Sequence, residues 1–171
     1  MNKNVLQIIR FLVLVLFQVL VINHIRLGGY VHPYIYLVFI MLLPFSTPKW
    51  QLLVLGFALG LTVDLFTGTP GLHAGATTLM AFSRPSIIKL VSGSQKFENI
   101  TEPNLGQLGG LWFFRYVLCM VFIHHFTLFF LESFSIRLIG QVLLRILLSV
   151  PVSIFLIMMI LYIFKSEKKR E

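Results

Sequence analysis

Charge is what this sequence has least of: only 12% of its 171 residues are Asp, Glu, Lys or Arg, and just six of those are acidic. A soluble domain covers its core with charged residues, so this deficit excludes an ordinary globular fold. Cysteine is nearly absent as well. Cys119 is the only one, which rules out an intramolecular disulfide and a cysteine metal cluster and leaves it as a small packing residue in an apolar run. Enzyme signatures are missing too: there is no GxSxG, HExxH or Walker A sequence and no pair of neighbouring carboxylates in an apolar segment. His124 and His125 are adjacent, so on a helix their side chains diverge by ~100° and cannot chelate one metal as an i, i+4 pair would. Neither catalysis nor a cofactor or metal is expected.

What is abundant is apolar sequence, with 57% hydrophobic residues and a mean hydropathy of +0.90. Runs of this length cross a ~30 Å hydrocarbon core at ~1.5 Å per helical residue, so the bilayer is the expected solvent. Lys3 and Arg10 precede the apolar run 11–22, but Asn23-His24-Ile25-Arg26 offers no small-residue cleavage site, so this segment reads as a first membrane helix and not a removable signal. Apolar runs and breakers predict an all-α, polytopic bundle of about six transmembrane helices in one domain, 1–171. The spans fall at 5–23, 34–45, 50–66, 72–91, 111–131 and 138–164.

The net charge of +8 does not indicate nucleic acid, because the basic residues are scattered at the ends of apolar runs and show no interleaved basic and aromatic face. With a cytoplasmic N-terminus, Lys3, Arg10, Lys49, Arg84, Lys89, Lys96, Arg115, Lys165, Lys168, Lys169 and Arg170 fall inside, and only Arg26 and Arg137 fall outside. The expected location is therefore a cytoplasmic membrane with both termini inside, a cytoplasmic loop at 92–110, and a basic cytoplasmic tail at 165–171 held near anionic membrane lipids. Asn99-Ile100-Thr101 matches a glycosylation acceptor, without consequence on the cytoplasmic side. Trp112, Phe113 and Phe114 are expected at the inner interface.

Two spans are irregular. The second, bracketed by Pro33 and Pro44, has twelve residues, or ~18 Å of helix, and must be extended by polar flanks, shielded by neighbours or re-entrant. The fourth contains Ser83-Arg84-Pro85. Arg84 is expected to snorkel to the inner headgroups, with a buried partner as the alternative.

The window 56–75, GFALGLTVDLFTGTPGLHAG, concentrates the candidate site. Gly56 and Gly60 form a GxxxG pair that lets another backbone approach. Asp64 continues that face into apolar sequence, where a charge costs about 2.5 to 3.5 kcal/mol on insertion scales. Gly68, Thr69, Pro70 and Gly71 make a tight turn, after which His73 could face Asp64 across a helical hairpin. Either His73 or the backbone N–H groups of the turn satisfies the carboxylate. Inward polar candidates beyond these are few: Thr77, Thr78, Gln141 and Arg145.

This window, with Ala81-Phe82-Ser83-Arg84-Pro85 after it, resembles the signature region of the bacterial rod shape-determining MreD family over about 56–85. The resemblance falls on Gly56, Gly60, Asp64, Gly68, Gly71, His73 and Arg84. It implies a non-enzymatic membrane scaffold of the cell-elongation complex in the bacterial inner membrane. Such a scaffold binds an MreC-like membrane protein and other cell-elongation and peptidoglycan synthesis proteins, and helps couple MreB filaments to wall synthesis; in it the GxxxG pair and the Asp64 turn, with Pro70, are expected to build a surface for a partner's membrane helix. It also implies a bundle like the substrate-binding subunits of energy-coupling-factor transporters. The alternative function is accordingly a vitamin-type substrate-binding subunit whose outer turn, 67–73, forms part of a lid over a polar pocket. Self-association into a homo-oligomer is left open.

Overall fold

The computed structural model describes residues 3–25, 29–93, 100–134 and 136–163. Arg26, Lys96, Asn99, Lys165, Lys168, Lys169, Arg170 and the whole tail 165–171 lie outside them. The described residues form helices, turns and loops: α1 Lys3–Leu20, α2 Val38–Met41, α3 Lys49–Thr67, α4 Leu72–Ser92, α5 Leu105–Leu108, α6 Gly110–Ser133 and α7 Ile139–Ile163, with single 3₁₀ turns at Ile22–His24 and Ile136–Leu138. Four helices are long and apolar enough to cross a membrane: Val5–His24, Lys49–Thr67, Gly110–Ser133 and Ile139–Ile163. The protein is thus a helical, multi-pass membrane bundle.

Packing follows the chain, with α3 on α4, α4 on α6 and α6 on α7. α4 has 21 residues, enough for ~31 Å, but is not apolar enough to stand with the four. Its polar side chains explain why. His73, Thr77, Arg84 and Ser92 are all buried and point into the bundle, where other protein groups satisfy them.

The segment expected as a second transmembrane helix is not one. Only Val38–Met41 makes a helical turn, while residues 34–41 are buried without a break in the middle of the bundle. The segment starts beside His73 and Glu132 at one end of the bundle and finishes beside Lys49 and Arg84 at the other. Pro33 and Pro44 supply no N–H and disfavour helix at their ends, so the chain covers the distance partly extended. Non-helical backbone is tolerated at membrane depth only where protein buries it and supplies its partners. Both conditions are met. Gln18 of α1, fully buried, accepts from Ile35 N–H at 2.8 Å and donates to Pro33 O at 3.1 Å. Ser153 Oγ of α7 accepts from Tyr34 N–H at 3.1 Å.

The far end of the segment is closed by Arg84, and this overturns the expectation that Arg84 snorkels. The residue is 1% exposed. Its Nε donates to Tyr116 Oη at 3.0 Å, its Nη1 to Pro44 O at 3.4 Å, and its Nη2 to Met41 O at 3.5 Å and to Leu43 O. A one-turn helix ending before a proline leaves carbonyls without donors, and a planar five-donor guanidinium can take several at once. Tyr116 Oη adds a bond to Met41 O at 3.2 Å. Trp112 and Phe113 also turn inward instead of lying at the interface; both are buried, and Trp112 Nε1 donates to Ser92 Oγ at 3.2 Å. Phe114 remains 44% exposed.

Candidate functional site

The α3–α4 hairpin is built by the glycine and acid residues of the 56–75 window. A Cβ on Gly60 would lie 2.4 Å from His73 O and 2.5 Å from Ala74 Cα, and one on Gly56 would lie 2.8 Å from Ala81 Cβ. The GxxxG face is therefore filled by α4 of the same chain. At the turn, Gly68 (φ 69°) ends α3 and Gly71 (φ 86°) precedes α4, both in the left-handed region where L side chains are strained. Pro70 lies exposed between them.

Asp64 is 2% exposed and fully served. Its Oδ1 accepts from Thr69 Oγ1 at 2.9 Å and His73 N–H at 3.0 Å; its Oδ2 accepts from Gly71 N–H at 3.1 Å and Ala74 N–H at 2.9 Å. The backbone, not the His73 ring, satisfies the carboxylate. Two of these donors, His73 and Ala74 N–H, lie in the first turn of α4 and a third, Gly71 N–H, just precedes it, so Asp64 caps a helix it does not belong to and meets the positive end of its dipole. Hydrogen bonds to a charged group contribute about 1.5 to 3 kcal/mol each, enough in sum to offset the burial cost.

The His73 side chain belongs to a second assembly that sequence reasoning did not foresee. Tyr36, fully buried on the irregular segment, places its hydroxyl 2.7 Å from His124 Nε2, 3.1 Å from His73 Nδ1 and 3.2 Å from Thr77 Oγ1. A phenol has one hydrogen and two lone pairs, so it donates to one of the three and accepts from the other two. The Tyr34 ring lies against His73, His124 and His125, with centroids 5.2 to 5.5 Å away. The two adjacent histidines do diverge. His124 reaches Tyr36, whereas His125 bonds Val121 O at 2.9 Å and Ser153 Oγ at 3.0 Å. His124 Nδ1 is buried without a hydrogen-bond partner among the described residues. The missing sequence signal was the irregular segment itself: Tyr34 and Tyr36 face the histidines only because this segment runs through the bundle unwound.

Above this assembly a cavity of about 380 Å³ opens at the Glu132 end, lined on its polar side by Asn23, His24, His32, His73, Thr67, Thr69, Glu132 and Arg145. Arg145 Nη1 pairs with Glu132 at 2.9 Å, tying α7 to α6, and its guanidinium carbon stands 4.4 Å from the Phe129 ring centre. Of the other inward candidates, Thr77 joins the Tyr36 group, Thr78 bonds Ala74 O within its own helix, and Gln141 is exposed.

Among the described residues no three His, Cys, Asp or Glu side chains converge as metal ligands would. The assembly can bind and orient polar groups of a small molecule, or hold the helices in register. No family model, no curated protein and no solved structure matches the chain.

Proposed function

We propose that this protein is a non-enzymatic membrane scaffold of the MreD type, with six chain crossings and both ends of the bundle's chain on the cytoplasmic side of a bacterial inner membrane. It would bind an MreC-like membrane protein and help couple MreB filaments to peptidoglycan synthesis. The observation that carries the reading is how the motif residues are used. Gly56, Gly60 and Asp64 lock α3 to α4, Gly68 and Gly71 shape their turn, His73 holds Tyr36, and Arg84 closes the irregular segment. A motif used chiefly for internal architecture suits a protein whose shape is its function.

The orientation rests on charge. Lys49, Lys89 and Arg115 are exposed at the end where α3 begins and α4 finishes, whereas the opposite end has Glu132 paired to Arg145 with exposed Arg137 nearby. Counting the irregular segment as a crossing gives an even number.

Because α4 fills the GxxxG face, the partner's helix needs another surface, and α1 presents an exposed apolar one, with Ile8, Leu12 and Leu16 60%, 51% and 46% exposed. A photo-crosslinking residue placed at Leu12 in native membranes should capture an MreC-like protein. Capture of no membrane protein from Leu12, and from Phe57 on the outer face of α3, would overturn the scaffold reading.

One observation favours a second reading, a substrate-binding subunit of the energy-coupling-factor kind: the cavity at the Glu132 end is bordered by Thr67, Thr69 and His73 of the expected lid. Native mass spectrometry of the purified chain would reveal a retained small molecule, and retention lost in His73→Ala would move the assignment to that class.

A further inference from the structure

We infer that the groove between α1 and α7 at the Lys49 end is a binding site for one aminophospholipid, its phosphate held by Arg10 and its primary ammonium by Glu102. The groove has a volume of about 410 Å³ and apolar walls from Leu6, Val13, Leu42 and Leu161. Two charges of opposite sign stand on it, Arg10 from α1 and Glu102 from the loop before α5. No ion pair joins them among the described residues, and Arg10 Nη1 is buried with no hydrogen-bond partner.

A buried guanidinium nitrogen without an acceptor is costly, so the site calls for an anion that arrives with apolar surface attached. A phosphodiester on a diacylglycerol meets both demands, since its acyl chain lies along the apolar walls while its oxygens accept from Arg10. Glu102 narrows the class. It disfavours a headgroup with only negative charge and accepts from a primary ammonium, which a quaternary ammonium, lacking N–H, cannot match. A partner's helix bearing one acidic residue would satisfy Arg10 but would set a second carboxylate beside Glu102. Position agrees as well: the groove opens at the membrane-exposed flank, where Val13 is 57% exposed, and at the end where Lys49, Lys89 and Arg115 are exposed.

The inference needs only a membrane bundle and stands apart from the scaffold reading. The test is native mass spectrometry of the full chain released from nanodiscs holding equal parts of phosphatidylethanolamine, phosphatidylcholine and phosphatidylglycerol with identical acyl chains. Phosphatidylethanolamine should be retained preferentially. Arg10→Gln should lower retention of all three lipids by on the order of tenfold, the effect of losing one charge-assisted bond. Glu102→Gln should erase the preference for phosphatidylethanolamine over phosphatidylcholine while leaving overall retention high. Should Arg10→Gln not fold, Val13→Trp, at an exposed position, fills the groove and should displace the lipid with Arg10 intact. Equal retention of the three lipids by the unaltered chain overturns the inference, as does retention indifferent to Arg10→Gln or, where that variant does not fold, to Val13→Trp. Lipid retention unchanged alongside loss of a co-purifying membrane protein would assign the groove to a partner's helix instead.

Discussion

Replacing Gly60 by Ala adds one methyl group at the tightest point of the α3–α4 contact. That Cβ would lie 2.4 Å from His73 O, 2.5 Å from Ala74 Cα and 2.6 Å from Ala74 N, all backbone atoms of α4 that cannot rotate away. Ordinary contact needs about 3.5 Å, so the helices must part by about 1 Å, which forfeits a quarter to a half of the dispersion energy along the seam. The same displacement stretches the bonds from His73 and Ala74 N–H to Asp64, now 3.0 and 2.9 Å. Overpacking costs about 3 kcal/mol in such a site, while exchanging glycine for alanine inside a helix returns about 1 kcal/mol. The expected net loss is therefore about 2 kcal/mol.

Gly75→Ala is the internal control. Its Cβ meets only Leu131 Cδ1 at 3.3 Å, the free end of a flexible side chain, so the helix-propensity gain should leave it neutral or slightly stabilising. Gly56→Ala, facing Ala81 Cβ at 2.8 Å, should fall between the two. Thermal unfolding of the purified chain in detergent, followed by circular dichroism, should rank the losses Gly60 above Gly56 above Gly75. Equal stability of the Gly60 and Gly75 variants would refute the packing argument. If Gly60→Ala left unfolding unchanged yet abolished partner capture, the GxxxG face would belong to another protein.

Asp64→Asn halves the accepting capacity of a side chain that takes four bonds, and should destabilise by about 3 kcal/mol in the same assay, whereas His73→Phe should leave the Asp64 cap intact. Arg84→Lys should cost at least as much as Asp64→Asn, because one ammonium cannot serve Tyr116 together with three carbonyls, and Tyr116→Phe should cost only about 1 kcal/mol. Tyr36→Phe removes the atom shared by His73, Thr77 and His124 and should cost about 2 kcal/mol; an unaltered melting curve would show that these groups rehydrate from the cavity above.

Hydropathy made the membrane class legible because apolar runs of 18 or more residues have few other uses, and four helices of that kind are present. The 56–75 window was legible for a related reason. Gly68, Gly71 and Asp64 are local: their partners lie within ten residues, so spacing alone pointed to a turn and to a carboxylate satisfied from within it or just beyond, by the backbone or by His73. Legibility ended where partners are distant in the chain. Arg84 looked like a snorkelling arginine because its carbonyl acceptors, Met41, Leu43 and Pro44, are about 40 residues upstream and its fourth acceptor, Tyr116, lies far downstream, and nothing near position 84 announces them. The irregular segment looked like a short helix because its hydrogen-bond donors and acceptors come from Gln18, Ser153 and Arg84.

By itself, then, the sequence determined the solvent, the helical class, the sites of the turns and the need for Asp64 to be satisfied, all of which depend on composition or on neighbours a few residues apart. Tertiary structure alone decided which groups do the satisfying. It gave Asp64 to the start of α4, His73 to Tyr36, and Arg84 to the carbonyls that Pro44 leaves open. The physical reason is that a buried polar atom must find a partner wherever the fold brings one, and hydropathy records the burial of such atoms without recording who meets them.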